Sequence, residues 1–180
     1  MKGYTVYAKT AGMEIRATSK VSAEESATGK EGRIAIRFFT FGNGDNQSQK
    51  FILNPLEAYS ICLFTAELAK KGGKQTLTHK FKGDEGEVTS RLTLEKWEKE
   101  DKSGYAYSLK RGEGKAINVP LDMVSFLYVG ELMKALSLEQ AWSSYKSQED
   151  TEAGETAGVS GMAGTGAAAS GGAETGPVKK

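Results

Sequence analysis

The sequence is short of the groups that most enzymes need. It has one cysteine, Cys62, and one histidine, His79. A single thiol excludes an internal disulfide framework and points to a reducing, intracellular compartment. Cys62 falls in an apolar stretch, where a buried thiol is normally inert. His79 stands between Thr78 and Lys80 with no Cys/His/Asp group at metal-ligand spacing, so no metal or cofactor is expected. "GEG" and "GNGD" are turns, and no G-x-x-x-x-G-K-[ST] phosphate loop occurs. Glu98, Glu100 and Asp101 belong to a charged, solvated turn. No apolar run approaches the roughly 20 residues that span a bilayer. The opening "MKGYTVYAKT" lacks the apolar core of a secretion signal. The expectation is a protein that is neither an enzyme nor bound to a membrane.

Net charge is also scarce, at +1 over 180 residues. It is unevenly placed. Of 24 basic and 23 acidic residues, two lysines and five acids fall within 147–180, leaving the first 146 residues 22 basic against 18 acidic. That mild excess permits a nucleic-acid partner without demanding one. From Ser147 the chain is rich in Gly, Ala, Thr and Ser, with almost no large apolar residue. Such a segment buries too little surface to offset its ordering entropy, so residues 147–180 are expected to be a flexible tail behind a domain of 1–146.

What is present is a doubled pattern. "YTVYAK", "EIRATS", "GRIAIRFFTF" and "KFIL" read as four strands, because β-branched and aromatic residues alternate with polar ones. A helix follows. Asn54 caps it, Pro55 suits its first position, Glu57 stands in the capping-box position, and "KKGGK" ends it. "QTLTHKF", "EVTSRLTLEKW", "GYAYSLKR" and "KAINV" repeat the strands, with a second helix over about 121–135. Pro55, Leu56, Glu57 and Ser60 match Pro120, Leu121, Asp122 and Ser125 at an offset of 65. "SLEQ" at 137–140 has capping-box spacing and predicts a further short helix ending near Lys146. The expected fold is α+β: two tandem ββββα repeats, about 4–71 and 75–135, with antiparallel sheets packed on helices.

Both helices are apolar around most of their circumference, as in "PLDMVSFLYVGELMKAL". One sheet covers one stripe of a helix. The surplus predicts that one helix face covers the protomer's own sheet and another packs in an oligomer.

The order of elements, with "HKFKGDEGEV", "SGYAYSLKR", "INVPLDMVSFLYVGELMKAL", "GRIAIRFF" and "FILNPLEAYSI", resembles the Whirly single-stranded-DNA-binding proteins over about residues 4–142. The family is related to the positive-cofactor-4 coactivators. The resemblance implies two sheets each followed by a helix, a homotetramer packed through its helices, and a single-stranded DNA partner. It implies work in replication, recombination or repair; transcription regulation or RNA binding on the same scaffold is the alternative. The family's lysine-glycine-lysine motif falls in "YAKTAGMEIRA", where Lys9 is the only lysine.

Binding a single strand takes cations for phosphates and aromatic faces for bases. The strands offer Tyr7, Lys9, Arg16, Arg33, Arg37, Phe39, Phe41, Trp97, Tyr105 and Lys110 as candidates. Arg33, Arg37 and Phe39 lead them, since alternation sets them opposite Ile34, Ile36 and Phe38. For Tyr105 and Tyr107, which share a face with Leu109, a core role is equally open.

Overall fold

Alternation along the first four strands decides which face meets the helices. In the computed structural model, residues 3–20, 31–42, 46–83, 86–100 and 102–156 are described, with the backbone alone at Lys20 and over 143–156. β1 (Tyr4–Tyr7), β2 (Ala11–Lys20), β3 (Glu31–Thr40) and β4 (Ser48–Leu53) form an antiparallel sheet, sheet A, in chain order. The register sets Met13 opposite Phe38, Ile15 opposite Ile36, and Ile34 opposite Leu53. All six are buried against the helices. A one-residue slip would turn this apolar set outward, so burial fixes the register.

Helix α1 (Pro55–Lys71) starts where the sequence predicts. Asn54 Oδ1 accepts the Glu57 N–H at 2.8 Å, and Glu57 Oε2 accepts the Asn54 N–H at 2.9 Å. It ends at Gly72, whose φ of 71° favours glycine and whose N–H reaches the Leu68 carbonyl. β5 (Gly73–Gly83), β6 (Gly86–Lys99), β7 (Lys102–Arg111) and β8 (Ile117–Leu121) make sheet B, again antiparallel and in chain order. α2 (Met123–Thr156) follows.

The structure corrects the repeat spacing. Asn54 precedes α1 and Asp122 precedes α2, where Asp122 Oδ1 accepts the Ser125 N–H at 2.7 Å. The structural offset is therefore 122 − 54, or 68. At that offset the buried residues coincide: Ala58 with Phe126, Ile61 with Val129, Cys62 with Gly130, and Thr65 with Met133. The offset of 65 matches a helix residue, Pro55, to a strand residue, Pro120. Pro120 lies on β8 at the edge of sheet B, opposite Ala106, a position that tolerates a missing N–H.

The expected helix break at 137 is also absent. α2 runs through Ser137, whose Oγ donates to the Lys134 carbonyl at 2.7 Å as a residue inside a helix does. Its backbone continues to Thr156, past the composition change at Ser147. Of the expected tail, residues 157–180 lie outside the described residues.

One apolar core joins both sheets and both helices. Phe126 near the start of α2 stacks on Tyr105 and tilts against Tyr107 of sheet B, with centroids 4.6 and 5.4 Å away. Further along, Gln140 closes on Gly32 of sheet A: a Cβ on Gly32 would lie 2.3 Å from the Gln140 carbonyl oxygen. The helices meet at Gly130, where a Cβ would lie 2.1 Å from Thr65 Oγ1. Across the sheet junction, His79 stacks on Phe51 at 4.2 Å and its Nε2 lies 2.7 Å from Glu57 Oε1.

Candidate nucleic-acid interface

The outer face of sheet A carries the residues that alternation sends away from the core. Across β1, β2, β3 and β4, one row reads Tyr7, Gly12, Phe39 and Ser48. The next reads Thr5, Glu14, Arg37 and Lys50. Phe41, just past β3, closes the end of the face. Tyr7, Phe39 and Phe41 form one cluster, with centroids 5.9 to 6.2 Å apart and edge-on or tilted rings. Tyr7 is 70% exposed. Phe39 lies directly over Gly12, whose missing side chain makes room for the ring.

Cations border the rings. Arg37 stands 5.9 Å from the centre of Phe39, and its Nε donates to Ser48 Oγ at 2.9 Å. Glu14 lies between two arginines, 4.0 Å from Arg37 and 3.9 Å from Arg16. These exposed pairs contribute little stability in water. What they do is hold Arg37 upright beside the rings while leaving half of its side chain open. Lys50 is exposed opposite Arg37. Beyond Phe41, an open groove of about 520 Å³ is lined by Lys9, Thr10, Phe41, Gln47 and Lys115. Rings with open faces beside cations can stack bases and hold phosphates.

No protein-family model matches the sequence, and no curated protein matches it. Solved structures do match. WHY1 from Arabidopsis thaliana aligns with a TM-score of 0.52 at 17% identity, over 92% of this chain and 97% of that one. The plant transcriptional regulator PBF-2 aligns with a TM-score of 0.51 at 14% identity, over 87% and 86%. The chain has a Whirly-like fold.

On this Whirly-like fold six of the ten sequence candidates share one region: Tyr7, Lys9, Arg16, Arg37, Phe39 and Phe41. Arg33 is on the same face at its far end, held by Glu31. Trp97 and Lys110 are on the outer face of sheet B, opposite Gly104 and Arg91. Tyr105 is a correction. It is 7% exposed and stacked beneath Phe126, so no ring face remains for a base. Tyr107, beside it, is fully buried with an unpartnered hydroxyl, and burial pushes its phenol well above the ordinary range. Both tyrosines pack under α2 because β7 carries Tyr105, Tyr107 and Leu109 on its helix side.

Lys50, Gly12 and Ser48 were missed from the sequence. Each joins the site through strand register, and only Lys50 bears a charge that could have drawn notice. Among the described residues no group of three or more His, Cys, Asp or Glu could hold a metal ion, and no helix is long and apolar enough to cross a membrane.

Proposed function

We propose that the chain is a sequence-tolerant single-stranded-DNA-binding protein that protects or organises single strands in replication, recombination or repair, inside the cell. Its role is binding rather than catalysis. The observation that carries this reading is the ring cluster of Tyr7, Phe39 and Phe41, open on a sheet face and bordered by Arg37, Lys50 and Lys9. Single strands offer unstacked bases to such a face, whereas duplex bases are stacked away inside the helix. Stacking is indifferent to base identity, which supports tolerance of sequence.

The working form in this reading is a homotetramer joined through the helices. Leu56 and Val124 occupy equivalent helix positions and are 75% and 78% exposed. Leu63, Met123 and Tyr128 add exposed apolar surface. Such surface marks an interface.

Fluorescence anisotropy with labelled oligo-dT and a matching duplex tests the function. Tighter binding to the single strand, weakening with salt as counterions are released, is the expected result. Equal or tighter duplex binding contradicts it. A second reading, a transcription regulator or RNA-binding protein on the same scaffold, has the fold of the plant regulator PBF-2 in its favour. Weak oligo-dT binding with recovery of RNA polymerase or a single RNA species would select it.

A further inference from the structure

Gly12 and Gly104 lie within β2 and β7, near their starts, with no backbone reason to be glycine, since neither has positive φ. Glycine weakens a strand, and in a strand it often marks a close approach. Here the approach is made by a ring. A Cβ on Gly12 would lie 2.6 Å from Phe39 Cζ. A Cβ on Gly104 would lie 2.6 Å from Trp97 Cζ2 and 2.8 Å from its Cε2. In each sheet an aromatic ring closes on bare backbone.

The two arrangements are not one motif copied with the repeat. Leu53 pairs with the β3 residue Ile34, and Leu121 with the β7 residue Tyr105, which aligns the two sheets. Under that alignment the Trp97–Gly104 pair falls on Thr18–Arg33, and the Gly12–Phe39 pair falls on Arg91–Lys110. Each sheet thus has one ring-on-glycine row, and at the other end of its face a row bearing Arg33 in sheet A and Arg91 with Lys110 in sheet B, in opposite order. Six residues of strand separate them, roughly 20 Å.

We propose that Trp97, closed on Gly104, is a second base-stacking platform, on sheet B, and that Gly104 is the positioning residue that keeps its ring there. The indole rests against Gly104, and Trp97 as a whole remains 36% exposed. Its ligand is an unstacked nucleobase of a single strand whose phosphates meet Arg91 and Lys110. The inference rests on the single-strand reading above.

The experiment uses the full chain with Trp142→Phe, so that Trp97 is the sole remaining tryptophan of two. Oligo-dT is titrated while both its anisotropy and the indole fluorescence are followed. Quenching should saturate with the anisotropy. Gly104→Ala should lift the ring, at least halve the quenching, and lower affinity roughly five- to hundredfold with the salt slope unchanged. Should Gly104→Ala fail to fold, Trp97→Leu carries the affinity test, with the same loss expected. Oligo-dT binding without quenching, or wild-type affinity in Trp97→Leu, overturns the platform and leaves the single-strand reading intact. Absence of oligo-dT binding by the parent chain overturns both.

Discussion

Arg37 shows how one side chain can be fixed without being used up. Ser48 holds its Nε, Glu14 stands 4.0 Å from its Nη1, and Phe39 lies beneath it. If it meets phosphate, Arg37→Ala should weaken binding to every sequence alike and flatten the salt dependence by about one contact. Affinity titrations at several salt concentrations check this, and an unchanged slope would move the phosphate path elsewhere. Asp122 titrates in a way that can also be followed. The Ser125 backbone N–H, the largest influence, holds its carboxyl below the ordinary 3.8. A lowered carboxyl contributes stability above its unfolded value and loses it as pH falls through the folded one. Asp122→Asn keeps an acceptor at the cap but does not titrate. The advantage of the wild type over Asp122→Asn in thermal midpoint should therefore narrow below about pH 4. At this scale the sequence was legible where alternation alone decides, as for Arg37 and Phe39 against Ile36 and Phe38. It was not legible for Tyr105, since the helix-facing side of β7 depends on where α2 lands.

Helix ends were legible because their chemistry is local. The capping box at Asn54 and Glu57 and the stop at Gly72 need only neighbours in the chain. Asn54→Ala should cost about 1 kcal/mol, read from denaturant unfolding. The start of the second helix was read about two residues early for the opposite reason. Pro120 looks like a helix start, but its pairing with Ala106 puts it in β8, a contact made across the sheet. Ser137 likewise resembles a cap and is instead buried within α2, one turn before the Gln140–Gly32 contact. Gly130 is a test at this scale. In an uncrowded helix, Gly→Ala stabilises by about 1 kcal/mol. Here the new methyl would meet Thr65 Oγ1 at 2.1 Å, so Gly130→Ala should destabilise by about 1–3 kcal/mol. Adding Thr65→Ala should restore part of that loss. Stabilisation by Gly130→Ala alone would show that the helices do not meet there.

For the molecule as a whole, the doubled sequence makes two sheets that share one core, with helix faces left over. The surplus apolar surface was legible in the composition of the helices, and Leu56, Val124 and Tyr128 are where it emerges. Which residues lie outward could not be read, since packing hides Ile61 and Val129 and leaves Leu63 and Tyr128 exposed. Burying an unpaired charge costs several kcal/mol. Val124→Asp or Tyr128→Asp should therefore break a tetramer into smaller species and lower single-strand affinity with it. Light scattering on size exclusion checks this, and a wild-type mass of one 19.3 kDa chain would sink the oligomer. In the proposed complex the outer face of sheet A holds the single strand through its rings. The most direct test is oligo-dT affinity of the full chain carrying Tyr7→Ala and Phe39→Ala, with native circular dichroism confirmed. Each ring contributes roughly 1–3 kcal/mol of stacking, so affinity should fall at least about tenfold while the salt slope holds. Wild-type affinity in that natively folded variant would show that these rings do not hold the strand.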